Sequence, residues 1–555
     1  MGLKQPIRDI LNFFKGFCFN PWLFLLFITG VFLRLKPYLE GYPLWVDESY
    51  RALQIIIPTW KEIFYFTPIL PGQPESPLGL VVVQKLLITF FGPHENVLRF
   101  VPFLCGVSTI FLYYIFLKRY FDSQILFLAL SLVVFNERLI YYSTELKPYS
   151  SDVFFSLLLY IFMFNIHHHQ YKRQDLMRFG IVAGIFMWFS HATLFITATI
   201  TLWIGYRFYK YKEYKEMLNF SLIVLFWICN FLAIYYLSFG SMVGNDKLIG
   251  MWGDGFLRYR ILSLDFISWL RDVIVAAFAR PIGVYFPIIT IPVFILGCII
   301  LSKKQCFSLF LLLGPVLLVL LAAICKKYPF KERMLLFLVP AFMVLISYGY
   351  ITILSFMKRW RIPVSCVLGF ILLFYPVTQS VSFLFKSRQI SDNHKILSYL
   401  DKNYQTGDFI CLNVSGTLPY WYYGYLLKFN NRLFSEKIET YKGPLYTSPE
   451  IGIFYEEVHK DDGGHSFVEY SVEQVYYTAD GRYQFCHTPR VILPIYENSS
   501  LEFFQSKRVW LVFLEMPDEA KEFVLKLFKG RAQKISQEVG KRGLISLYLL
   551  DHTLN

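Results

Sequence analysis

The cysteines of this 555-residue chain never pair at metal-ligand spacing. Cys18, Cys105, Cys229, Cys298, Cys306, Cys325, Cys366, Cys411 and Cys486 stand singly, so they give no support to a zinc site and mostly read as small core residues. A disulfide between Cys411 and Cys486, the two in the polar C-terminal part, stays open. There is no glycine-rich phosphate loop, no internal repeat and no low-complexity tract. A small-residue cleavage site is also missing after the first apolar run. Lys4, Arg8, Lys15 and the run from about Pro21 to Leu35 therefore read as a retained first helix with a cytoplasmic N-terminus. Acidic residues are in short supply, 40 against 54 Lys and Arg, a net charge of +14. A nucleic-acid partner is not implied, because the basic residues lie mostly in short loops between apolar runs. That is the positive-inside pattern, with some of them free to meet anionic headgroups or phosphates.

What the chain does have is apolar length. It is 55% hydrophobic and 19% aromatic, with 57 Phe and 39 Tyr, and its mean hydropathy is +0.44. The excess falls in runs of about 20 residues, enough to cross a bilayer as a helix. Beyond the first span, others fall at about 97–117, 125–142, 152–166, 219–238, 282–301, 307–325, 333–356 and 362–384. The stretch 178–207 reads as one long helix or as two that turn near Ser190-His191. Two helices put Lys118/Arg119, Lys172/Arg173/Arg178, Arg207/Lys210/Lys212/Lys215, Lys303/Lys304 and Lys358/Arg359/Arg361 all on the cytoplasmic side. The expected fold is therefore a polytopic α-helical membrane protein of eleven helices, N-terminus in and C-terminus out.

Residues 1–387 form the expected transmembrane domain, with outer loops 36–95 and 239–281. In the first loop an amphipathic stretch from Arg51 to Phe66 breaks at Pro58, and Pro68, Pro71, Pro74 and Pro77 predict an irregular connection. In the second, Trp252, Phe256, Leu257, Phe266 and Trp269 predict a segment at the membrane surface. Residues 388–555 read as a soluble extracytoplasmic α/β domain, with helices at Ser391–Tyr404 and Asp518–Phe528 and strands at Asp408–Val414, Arg508–Leu514 and Leu544–Leu550.

Four groups stand out. Asp47-Glu48 sits where the chain leaves the first span, between Trp45, Val46 and Tyr50, with Arg51 following; ionisable groups so placed are costly unless used. Glu145-Leu-Lys147-Pro-Tyr149 and Asp152 lie between the third and fourth spans. Asp152 would sit well at a helix N-terminus for about 0.3–1 kcal/mol in any case. Ser190-His191-Ala192-Thr193 marks the break in 178–207, where packing is the favoured role for His191. Lys326-Lys-Tyr328-Pro-Phe-Lys331-Glu-Arg333 is a basic cluster on the side where the charge rule disfavours it, and a bound phosphate would explain it. The topology puts Asp47, Lys147, His191 and Arg333 on one face. His167-His168-His169 does not make a metal site, since consecutive residues do not share a helix face.

Taken in order, Asp47-Glu48, Pro77-Leu78-Gly79, Arg99-Phe-Val-Pro102, Glu145-Leu-Lys-Pro-Tyr149 and Tyr328-Pro-Phe with Arg333 form a series. Over about residues 20–350 it resembles the C-type membrane glycosyltransferases related to protein O-mannosyltransferases and lipid A aminoarabinose transferases. It departs from them at Glu75-Ser76-Pro77-Leu78-Gly79, where the mannosyltransferases carry His-Pro-Pro-Leu-Gly, and at Lys147, where arginine is common. The resemblance implies a sugar donor linked to a polyprenyl or dolichyl phosphate. It implies a hydroxyl acceptor on a lipid, glycan or protein at the outer face, and direct inverting displacement in a bacterial inner (cell) membrane. Asp47 would be the acceptor base with Glu48 beside it. Arg51, Lys147, Tyr149 and Arg333 would hold the donor phosphate, and Asp152, His191, Tyr328 and Lys331 are further substrate-site candidates. Arg51 has a second reading, as a clamp on Asp47 or Glu48. No cofactor is expected: Asp47, Glu48 and Asp152 could converge on a divalent ion, but Lys and Arg already serve the phosphate. A flippase of lipid-linked sugars would place its charges near the bilayer midplane. A glycan polymerase or ligase is the closer rival.

Overall fold

The computed structural model describes residues 20–65 and 76–385, apart from residues 169, 240–248, 251, 258, 262 and 358, together with segments between residues 393 and 550. Helices follow the apolar runs. In chain order they are α1 (Pro21–Leu39), α2 (Val46–Ile56), α3 (Trp60–Tyr65), α4 (Leu78–Phe91), α5 (Glu95–Tyr120), α6 (Ser123–Val134), α7 (Glu137–Tyr142), α8 (Tyr149–His168), α9 (Arg173–Met187), α10 (Thr193–Lys210) and α11 (Tyr214–Ile234). After a π-helical turn at Tyr235–Phe239 come α12 (Leu264–Ala279), α13 (Pro287–Lys304), α14 (Cys306–Ile324), α15 (Val339–Phe356), α16 (Arg361–Phe385) and α17 (Asn393–Asn403). A tight helical stretch, Glu332–Leu338, leads into α15. Among the described residues eight helical stretches are long and apolar enough to cross a membrane. The protein is an integral membrane protein.

The chain divides into two compact units. The first comprises Met1–Glu40, Gly72–Gly92 and Asn96–Ser387, and the second Gly41–Pro71, Pro93–Glu95 and Arg388–Asn555. Residues 41–71, read from the sequence as part of the outer loop of the transmembrane domain, thus group with the C-terminal segment.

In the first unit, helices joined by short turns run antiparallel, which sorts the turns onto two ends. At one end Lys304 Nζ pairs with Asp122 Oδ2 at 2.8 Å. Close by, the His167 ring stacks on Phe307 at 3.7 Å, and the Tyr171 hydroxyl joins His167 Nδ1 (2.6 Å) to Trp203 Nε1 (2.9 Å). At the other end Gly79 N donates to the Trp188 carbonyl at 2.7 Å, and the Phe195 and Tyr328 rings meet edge to face. The stretch 178–207 is two helices, α9 and α10, separated at residues 188–192.

Two expectations are corrected here. Residues 78–91, read as part of the outer loop 36–95, form the apolar helix α4, with Pro77 just before its first turn; the irregular connection expected at Pro68, Pro71 and Pro74 lies outside the described residues. The span at 125–142 is not continuous. Asn136 ends it by capping a new helix: its Oδ1 accepts from Leu139 N at 2.9 Å, while its Nδ2 donates to the Pro281 and Ile282 carbonyls at 3.1 and 2.8 Å. The break strands carbonyls at the end of α6. Arg34, almost wholly buried on α1, donates to two of them, Val133 and Val134, at 3.4 Å, and to Gly30 O at 3.0 Å. That is how an arginine is accommodated within a span, where a polar group without a partner is costly.

In the second unit the strands β1 (Phe409–Asn413), β2 (Tyr446–Thr447), β3 (Ile451–Lys460), β4 (Ser466–Tyr477), β5 (Tyr483–His487), β6 (Val491–Ile492), β7 (Val509–Met516), β8 (Gln533–Gly540) and β9 (Gly543–Leu550) form one sheet. The order is β2-β4-β3-β1-β7-β9-β8, with β5 and β6 both on β4. β1 lies parallel to β3 and β7, with Ile410 opposite Ile451 and Phe409 opposite Val509; β8 and β9 pair antiparallel. The expected strands at 408–414, 508–514 and 544–550 are β1, β7 and β9, and the expected helix at 391–404 is α17. The helix expected at 518–528 lies outside the described residues. Among those residues, α2, α3 and α17 accompany the sheet, and Leu44 N donates to the Tyr423 hydroxyl at 2.6 Å.

Candidate functional site

Asp47 and Glu48 are not in a loop. They occupy the first turn of α2, where the backbone turns at Trp45 and the amides of Glu48 and Ser49 both donate to its carbonyl (2.9 and 2.8 Å). Carboxylates suit that position because it carries the partial positive charge of the helix. Glu48 is fully buried and Asp47 half-buried. Arg51 is buried one turn on, donates to Gln54 Oε1 at 3.2 Å, and Gln54 in turn donates to the Tyr50 hydroxyl at 2.5 Å. These three residues belong to the second unit and the other candidates to the first.

Lys147 and Glu145 are buried in the turn between α7 and α8, where the Lys147 amide donates to the Glu145 carbonyl at 2.7 Å. Tyr149 opens α8, and its ring packs edge to face on Tyr142 at 4.9 Å. Arg333 reaches the same place from the far side of the sequence. Its Cζ lies 5.8 Å from the centre of the Tyr149 ring and 4.8 Å from that of Trp252, within cation–π range. Glu332, just before it, has a φ of +39°, which a non-glycine residue adopts only under strain. Lys147, Tyr149 and Arg333 are therefore gathered at one end of the helices.

Of the other candidates, Asp152, Tyr328 and Lys331 make polar contacts within the protein. Asp152 Oδ1 accepts from Ser190 Oγ at 2.6 Å, so this carboxylate holds the α9–α10 break. His191 lies in that break, half-buried. The Tyr328 hydroxyl donates to the Met334 carbonyl at 3.0 Å. Desolvation, and then the charge of Asp152, push this phenol well above its ordinary pKa, so it stays a donor. Lys331 Nζ pairs with Asp254 Oδ2 at 3.0 Å. Glycine of the Pro77-Leu78-Gly79 motif has a steric reason. A Cβ on Gly79 would sit 2.8 Å from the Trp188 carbonyl oxygen and 3.0 Å from the Phe189 ring, so only glycine lets α4 dock on the break.

Sequence reading missed three residues here. Asn136 carried a signal, an N-cap residue followed by Glu137 inside an apparent span. Arg34 carried another, a charge inside an apolar run. Trp252 was read only as a membrane-surface residue, and nothing in its neighbours pointed to Arg333. Among the described residues no group of three or more His, Cys, Asp or Glu could hold a metal.

No protein-family model and no curated protein matches the sequence. Solved structures do. The chain is similar to ArnT from Cupriavidus metallidurans bound to undecaprenyl phosphate, with a TM-score of 0.50 and 10% identity over 96% of this chain and 99% of that one. The chain shares the fold of that protein. ArnT from the same organism in the apo state gives a TM-score of 0.49 at 10% identity, over 96% and 98% of the two chains. The Archaeoglobus fulgidus oligosaccharyltransferase tethered with an acceptor peptide gives 0.42 at 11% identity and covers 73% of this chain. This chain spans 62% of the length of that oligosaccharyltransferase.

Proposed function

We propose that the protein is a membrane glycosyltransferase that moves a sugar from a polyprenyl-phosphate-linked donor to a hydroxyl acceptor at the outer face of a bacterial inner membrane, inverting the anomeric centre. The observation that carries this is the gathering of Lys147, Tyr149 and Arg333 at one end of a helical membrane unit. Two cations and a phenol there suit a phosphate at the membrane boundary. The ArnT structure of the same fold contains undecaprenyl phosphate, which supports a lipid-linked donor.

In this reading the spans number eleven, with the N-terminus inside and residues 388–555 outside, where that domain guides the acceptor. Arg51 is a further candidate for the phosphate, or holds the carboxylates beside it. Asp47 takes the proton of the acceptor hydroxyl as its oxygen attacks the anomeric carbon. The bond from that carbon to the phosphate oxygen breaks, and the cations stabilise the charge that grows on the leaving phosphate. No metal is required for these steps. Asp152, His191, Tyr328 and Lys331 shape the site around the sugar.

Reconstitution with a labelled polyprenyl-phosphate sugar tests it, with label followed into the acceptor fraction. Asp47→Asn should lower transfer by about 100-fold or more, the range of a lost general base, and remain folded and inserted. Transfer at near the native rate by that variant would remove Asp47 from the mechanism. Movement of the labelled lipid across the bilayer with no transfer would instead mark a flippase.

A further inference from the structure

We infer that Trp252 is a positioning residue for Arg333, and through it for the anionic headgroup of the donor. The inference rests on the reading above, in which Arg333 binds the donor phosphate. A guanidinium offers its N–H groups in its own plane and its faces to aromatic rings. Contact with the rings of Trp252 and Tyr149, at 4.8 and 5.8 Å from Cζ, therefore restricts where the guanidinium can sit. A flexible arginine would have to be ordered each time the ligand bound, and that ordering weakens binding.

Trp252 is itself held by a built clamp. The chain after it makes a tight turn, Gly253–Gly255, that lies across Pro329–Lys331. Gly255 O accepts from Phe330 N at 2.9 Å. Asp254 fixes the turn from both sides: its carbonyl accepts from Trp269 Nε1 at 3.1 Å, and its carboxylate pairs with Lys331 at 3.0 Å. Leu257 N donates to the Ala323 carbonyl at 3.3 Å. A Cβ on Gly255 would meet the Cβ atoms of Lys331 and Pro329 at 3.0 and 3.1 Å, so the turn sits as close as it does because residue 255 is glycine. The segment from Trp252 to Leu257 thus delivers one indole to one guanidinium.

The experiment measures binding of polyprenyl phosphate, and separately of neutral polyprenol, to the full chain in nanodiscs. Wild type, Trp252→Leu, Trp252→Phe, Arg333→Ala and the Trp252→Leu/Arg333→Ala double variant are compared. Trp252→Leu should weaken polyprenyl phosphate binding about 3- to 30-fold, the span of an aromatic contact to a cation, and leave polyprenol binding unchanged. Trp252→Phe should recover most of the loss. The double variant should bind no worse than Arg333→Ala alone, since the indole has then lost the group it positions. Gly255→Val, which displaces the turn and keeps the indole, should reproduce the Trp252→Leu defect and covers the case in which Trp252→Leu fails to fold. A full additional loss in the double variant, or an equal loss of polyprenol binding, would overturn the inference. If Arg333→Ala itself leaves polyprenyl phosphate binding intact, the reading of the phosphate site fails instead.

Discussion

Replacing Gly79 by alanine tests the geometry independently of any function. The added Cβ would lie 2.8 Å from the Trp188 carbonyl oxygen and 3.0 Å from the Phe189 ring, both closer than ordinary contact. The amide of the same residue donates to that carbonyl at 2.7 Å, so the backbone cannot retreat without giving up the bond. Relieving the overlap costs about 1–3 kcal/mol, and losing the bond about 0.5–1.5 kcal/mol. Alanine returns about 0.4–1 kcal/mol by restricting the unfolded chain. The net expectation is a destabilisation of about 2 kcal/mol, read as a lower denaturant or thermal midpoint of the reconstituted protein. Gly205 provides the control. It lies within α10, and a Cβ there meets nothing within 4 Å, so Gly205→Ala should hold or raise the midpoint, by up to about 1 kcal/mol. A Gly79→Ala protein as stable as Gly205→Ala would refute the close approach of α4 to the α9–α10 break.

Other substitutions separate interactions of unequal weight. Asn136→Ala removes a cap and leaves the Pro281 and Ile282 carbonyls short of a donor; unfolding measurements should show a loss of about 2–4 kcal/mol. Asn136→Asp keeps the capping oxygen and should recover only part of that. Lys304→Ala breaks the Asp122 pair, but both side chains are about half exposed, so the same measurement should register less than about 1 kcal/mol.

How much was legible in advance depended on the range of the interaction. Apolar runs set the spans, because span length is a local property that the bilayer thickness dictates. The split at residues 188–192 also followed, from the placement of Arg207 and its neighbours rather than from the local sequence. The break at Asn136 did not follow, because the apolar residues run on through 125–142 and the reason for stopping, the Pro281 and Ile282 carbonyls, lies more than a hundred residues away. Asp47 and Glu48 looked like loop carboxylates because Pro43 and Gly41 precede them; the helix begins only after the turn at Trp45. The pairing of Arg333 with Trp252 had no sequence signature, since cation–π contacts leave no spacing rule between distant segments.

The basic stretch from Lys326 to Arg333 shows what side-chain geometry adds to a charge count. As sequence it is a single cluster on the disfavoured side, with phosphate as the explanation for the whole. In the structure its members separate. Lys326 and Lys327 are exposed, Lys331 is paired with Asp254, and Arg333 lies against the Tyr149 and Trp252 rings. Of these four, only Arg333 lies against aromatic rings, which suits the anion contact proposed for it. Exposed charges act through solvent and are screened within about 8 Å at physiological salt. The Lys326→Ala/Lys327→Ala double variant should therefore bind polyprenyl phosphate within about twofold of wild type at that salt, and Arg333→Ala should lose far more. A double lysine variant as defective as Arg333→Ala would mean that the stretch acts as a diffuse positive surface, and the oriented guanidinium would lose its special standing.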